Sequence, residues 1–131
     1  MDLSLALPTV FGIPQCDSVK RARLWLTQQG VAHEFHDFKK LGVSADDLNR
    51  WAAAVGWERL INRQGTTWRK LSAAEQAVLA QPGALAVAQV QAQPSVIKRP
   101  VIAWPSGQVT VGANEAVLTA AAAASSFTSP P

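Results

Sequence analysis

Cys16 is the one thiol in this chain, and it stands where thiol chemistry is favoured. It follows the apolar run Thr9-Val10-Phe11-Gly12-Ile13 and precedes the helical pattern Val19, Ala22, Leu24, Trp25, Leu26. A strand that ends just before a helix starts puts the thiol at a helix N-terminus. The first turn there leaves backbone N–H groups unpaired and carries a partial positive charge, which favours an anion. A thiolate gains from that field, and from nearby Lys or Arg, by a lowered pKa. Lys20 lies one turn on and adds to the pull, whereas Asp17 opposes it, so residue types alone leave the net shift open. A buried, inert cysteine is the alternative, because a lone thiol becomes a nucleophile only with an orienting partner.

The elements that must position this thiol follow from the patterning. Residues 9–13 read as a short buried strand, and residues 16–29 as a helix that Gly30 closes. Val31 to Phe38, aromatic and alternating, predicts a second strand, parallel to the first across a right-handed helical crossover. Ser44 before Ala45-Asp46-Asp47 predicts an N-cap and a helix to about Val55. Ser72 with Glu75 has capping-box spacing, and an Ala-rich helix is expected over about 83–92, stopped near Pro94. Pro100–Trp104 and Val109–Val111, joined by Pro105-Ser106-Gly107-Gln108, read as a hairpin. Asn114 caps a closing helix to about Ala124, and residues 125–131 have the composition of a disordered tail.

The order predicts an α/β, thioredoxin-like fold. A four-stranded mixed sheet would be built from a parallel βαβ unit and a C-terminal β-hairpin, with a helical insertion between the halves. One domain is expected over 1–131, its core at about 9–40 and 96–124 and the insertion at about 41–95.

Three separated stretches resemble a known family. Gly12-Ile13-Pro14-Gln15-Cys16-Asp17-Ser18-Val19-Lys20-Arg21-Ala22, Arg63-Gln64-Gly65-Thr66-Thr67-Trp68-Arg69-Lys70-Leu71 and Ile97-Lys98-Arg99-Pro100 together are similar to the arsenate reductase-related (ArsC) family. The nearest branch is that of the YffB-like proteins, small relatives of arsenate reductase and of the Spx regulators. The resemblance implies that Cys16 is the nucleophile, that Arg99 lies beside the thiol and holds an oxyanion, and that Pro100 is the cis proline of thioredoxin-like folds. Lys20 and Arg63 would assist electrostatically. Thr66 and Thr67, in a Gly65-Thr66-Thr67 loop of anion-binding character, would shape the thiol groove with Pro100 if the fold brings that segment to Cys16.

Two departures from the family pattern matter. Arsenate reductases carry a further arginine near the position of Gly112, so a doubly charged arsenate would lose part of its clamp. Val19 stands where Cys-x-x-Cys proteins have their second thiol, so an adduct on Cys16 needs an external resolving thiol. The resemblance thus implies a glutathione-dependent thiol reductase with glutathione as co-substrate and no bound cofactor. Two alternatives stay open: an Spx-like protein that binds RNA polymerase without catalysis, and an arsenate reductase coupled to glutaredoxin.

Composition narrows the classes further. The chain has 131 residues, 48% hydrophobic and 16% charged, which suits a globular domain. Its apolar runs are too short for a membrane span, and residues 1–8 lack the basic and apolar regions of a secretory signal, so a cytoplasmic monomer is the expectation. The net charge of +3 suits an anionic small substrate, but the basic residues are scattered, so direct nucleic-acid binding is not expected. His33 and His36, three apart on a predicted strand, face opposite ways and supply too few ligands for a metal site.

Overall fold

The computed structural model describes residues 7–126. The chain divides into two units, one formed by the segments up to Asp37 and from Arg99 onward, the other by Phe38–Lys98.

The first unit is built on a four-stranded sheet of β1 (Thr9–Gly12), β2 (Glu34–Asp37), β3 (Val101–Ala103) and β4 (Val109–Val111), in the order β2-β1-β3-β4. β1 and β2 are parallel, with Val10 opposite Phe35, while β1–β3 and β3–β4 are antiparallel. This is the mixed, thioredoxin-like sheet the patterning predicts. Helix α1 (Asp17–Gln28) makes the crossover, and α8 (Glu115–Ser126) closes the unit. Val19, Ala22 and Leu26, spaced to share one helical face, join Val10, Ile102, Trp104, Leu118 and Ala121 in one buried cluster. Trp104 Nε1 donates to Thr110 Oγ1 at 3.0 Å, which satisfies both buried polar groups.

Gly12 is required by close approach. A Cβ there would lie 2.5 Å from Cγ2 of the fully buried Val19, so the strand end and the start of α1 meet through the missing side chain. We expect Gly12→Ala to cost about 1–3 kcal/mol in denaturant unfolding, the usual penalty of overpacking. Adding Val19→Ala should recover part of that loss, whereas strict additivity of the two substitutions would remove the steric explanation.

The second unit is helical: α2 (Phe38–Leu41), α3 (Ala45–Val55), α4 (Trp57–Leu60), α5 (Thr66–Lys70), α6 (Ala73–Leu79) and α7 (Ala84–Ala92), then a 3-10 turn at Pro94–Val96. The expected caps form: Ser44 Oγ accepts from the Asp47 N–H, and Ser72 and Glu75 complete a reciprocal capping box. α3 packs on α4 and α7, and α6 on α7. Trp57 Nε1 donates to the Leu79 carbonyl at 2.8 Å, pinning α4 to the end of α6.

Three boundaries differ from the sequence expectation. β2 starts at Glu34 because the Val31 N–H still bonds back to the Leu26 carbonyl at 2.8 Å, and it ends at Asp37 because Phe38 opens a short helix. Thr66 and Thr67 are not loop residues: they begin α5, with Gly65 as its N-cap. α8 runs to Ser126, with the Val117 N–H bonded to Asn114 Oδ1 as the cap requires, so the expected tail is helical at 125–126 and its remainder lies outside the described residues. Residues 1–6, where a signal sequence was not expected, also lie outside them. Among the described residues no helix is long and apolar enough to cross a membrane.

Candidate active site

Cys16 is the N-cap of α1, with an extended backbone at φ −76° and ψ 127°. Its own N–H bonds to the Ile13 carbonyl at 3.1 Å, which tightens the turn leaving β1, and its carbonyl receives the Lys20 N–H at 3.0 Å. The sulfur therefore occupies the place of a capping oxygen. It makes no regular cap bond, as suits a large, weak acceptor. The Ser18 and Val19 N–H groups nonetheless direct their dipoles toward it, the two donors a capping side chain normally serves.

The thiol is partly exposed and packs against the edge of the core cluster. Partial burial alone pushes its pKa up. The Val19 N–H, a hydrogen bond from the Arg99 side chain, the Ser18 N–H and the Arg99 charge together outweigh burial and hold the thiol below its ordinary value. The question the sequence left open, whether Asp17 cancels the cationic pull, is thus decided in favour of the thiolate. The cation acting on the sulfur is Arg99, while Lys20 is tied to the site through its backbone.

Arg99 reaches the thiol from the segment that leads into β3. The Arg99–Pro100 peptide bond is cis. The Pro100 carbonyl accepts from the Gly112 N–H at 2.8 Å, joining the entry of β3 to the residue that follows β4. Gly112 has φ +88°, a left-handed conformation that disfavours any side chain there. Gly112, near which the resemblance to arsenate reductases implies a further arginine, is therefore a backbone turn in this chain.

Cys16, Lys20, Arg99 and Pro100 all belong to the first unit. Arg63, Thr66 and Thr67 belong to the second and form a local group of their own. There the Arg63 guanidinium lies 5.4 Å from the Trp68 ring centroid, and Arg69 donates to the Gln64 carbonyl at 2.9 Å. Trp68 is half-buried while Arg69 and Lys70 are exposed, and Arg69 is used to hold its own turn. Sequence reading missed the Ser18 and Val19 amides as individual contributors, because backbone donors carry no residue signature beyond the helix start. His33 and His36 are both half-buried; His36 packs on Phe11 with ring centroids 5.0 Å apart. Among the described residues no group of three or more His, Cys, Asp or Glu side chains is placed to hold a metal ion.

Residues 11–121 match the family model described as the ArsC family. An uncharacterized protein of Haemophilus influenzae is 36% identical over 107 residues, spanning 82% of this chain and 91% of its own length. A solved structure of a YffB protein superposes with a TM-score of 0.78 at 42% identity, covering 87% of this chain and 97% of that one. The structure of an arsenate reductase-related protein from Brucella melitensis gives a TM-score of 0.66 at 40% identity, covering 88% and 94%.

Proposed function

Since the chain belongs to the ArsC family, we propose that it is a thiol oxidoreductase that works through the single nucleophile Cys16 and uses glutathione as its resolving thiol. The observation that carries this reading is the convergence of two first-turn amides and the Arg99 guanidinium on one partly exposed sulfur. Such an arrangement raises the thiolate fraction near neutral pH, and the thiolate is the attacking species in exchange.

In the first step the Cys16 thiolate attacks the glutathionyl sulfur of a mixed disulfide. The substrate's sulfur leaves with the bonding pair, takes a proton, and Cys16 becomes glutathionylated. A second glutathione, as thiolate, then attacks the glutathionyl sulfur on Cys16. Oxidised glutathione departs and the Cys16 thiolate returns. The net change converts one mixed disulfide and one glutathione into a free thiol and glutathione disulfide. Arg99 serves both steps by steadying negative charge at the sulfur and by pairing with an anionic group of the incoming molecule.

The left-handed backbone at Gly112 weighs against arsenate as the preferred oxidant, because the clamp would lack one of its cations. The decisive assay couples glutathione disulfide formation to glutathione reductase, with a glutathionylated peptide as substrate. We expect turnover that needs glutathione and proceeds in the absence of glutaredoxin. Turnover of arsenate that requires glutaredoxin would instead select arsenate reduction. No turnover from a protein whose Cys16 alkylates readily, together with recovery of RNA polymerase subunits on it, would select the regulatory reading.

A further inference from the structure

Helix α1 carries a second feature that the thiol chemistry does not use. Lys20, Arg23, Leu24 and Thr27 follow Cys16 at helical spacings that share one face. Beside that face runs a groove of about 310 Å³ lined by Pro14, Lys20, Arg23, Leu24, Thr27 and His33. It continues past Arg23 and Thr27 into a concavity of about 340 Å³ that reaches Gly30 and Ala32. Pro14, which lines the groove, precedes the thiol by two residues in the chain.

Arg23 is held in place without a carboxylate. Its Nε donates to His33 Nε2 at 3.3 Å, and its guanidinium carbon lies 4.4 Å from the Phe35 ring centroid. His33 Nδ1 lies 3.2 Å from the Val31 carbonyl, so the ring proton belongs on Nδ1 and the Nε2 lone pair faces Arg23. With Nε occupied and the plane stacked, the two terminal NH2 groups are left to meet a partner. Among the described residues no carboxylate pairs with Lys20 or Arg23. Leu24, 57% exposed, adds an apolar patch between these cations and the far end of the groove.

We infer that this groove docks an extended, acidic segment of a protein substrate, with a carboxylate on Arg23 while the segment's mixed disulfide presents its glutathionyl sulfur to Cys16. The inference rests on the thiol exchange proposed above. Arg23 lies seven residues along the helix from Cys16, about 10 Å at 1.5 Å per residue, with its side chain leaning back toward the N-terminus. An extended chain covers that span in about three residues. The groove continues past Arg23 to the end of α1 at Gln28 and on to Gly30 and Ala32, longer than a tripeptide needs, and its charge is complementary to an acidic strand.

The test measures binding and exchange separately. For binding, a fluorescein-labelled peptide bearing serine in place of its reactive cysteine and flanking glutamates is titrated by anisotropy against full-length Cys16→Ser protein, beside its glutamine counterpart. We expect the glutamate peptide to bind about tenfold more tightly at low salt, the gap closing in high salt. Arg23→Gln should remove most of that preference, whereas Arg59→Gln, an equal charge change in the second unit, should leave it intact. Equal binding of the two peptides overturns the inference, as does an Arg23 effect confined to glutathione itself. Deglutathionylation of the glutathionylated, cysteine-bearing peptides by the protein with Cys16 intact tests the underlying chemistry alone: its absence despite selective binding refutes the exchange reading and leaves the docking surface standing.

Discussion

Cys16→Ser is expected to lower glutathione-dependent turnover by about a thousandfold or more, because a serine hydroxyl at this site stays protonated and cannot form the mixed disulfide. The fold should survive. Cys16 is an N-cap, and serine is among the preferred residues there, so unfolding free energy near neutral pH should change by no more than about 1 kcal/mol. The two proteins should nonetheless differ in how stability depends on pH. The native thiol has a pKa below that of the unfolded chain. Between those two values the unfolded state binds more protons, so the native protein gains stability as pH rises. That contribution is fully present above the unfolded pKa and is lost as pH falls through the native one. Denaturant titrations should show the native protein gaining on Cys16→Ser across that interval. Parallel profiles would mean that the sulfur titrates alike in both states. Full turnover by the serine variant would end the assignment of Cys16 as nucleophile.

Arg99→Ala carries the second large effect, and it separates two jobs of one guanidinium. Arg99 acts on the sulfur by a hydrogen bond and by charge, so its loss should move the midpoint of the iodoacetamide alkylation profile to higher pH. Iodoacetamide is neutral, so this readout follows the thiolate and not the anion-binding role. With a glutathionylated substrate, kcat/KM should fall by about ten- to a hundredfold, the scale of one charge-assisted hydrogen bond to an anion. Arg99→Lys should restore most of the alkylation profile, because a point charge suffices for the thiolate. It should recover less of kcat/KM, because an ammonium lacks the planar fork that grips a carboxylate. An alkylation profile unmoved by alanine would remove Arg99 from the site.

Much of this was legible because local rules and tertiary structure agree. α1 and α3 lie where the caps and the apolar spacing placed them, and the hairpin turn fell between the predicted strands. Helices α4 and α5 were not legible: at four and five residues they are shorter than the periods that reveal a helix. α4 is held by the buried Trp57 and Leu60, a tertiary cause that leaves no local pattern. The Gly65-Thr66-Thr67 segment misled for a related reason, since small polar residues suit an anion-binding loop and a helix start equally well.

The sequence by itself determined where the thiol would stand, because the end of a buried strand and the first turn of an amphipathic helix are both written in neighbouring residues. It also determined that any resolving thiol must come from outside the chain, since there is one cysteine to count. Only the tertiary structure decided that the thiol's pKa is lowered. The opposing effects of burial, amides and charge depend on distances that no spacing encodes. The cation that tips the balance comes from Arg99, brought to Cys16 by the pairing of β3 with β1. The same holds for Arg23, whose seating on Phe35 exists only once β2 lies beside β1.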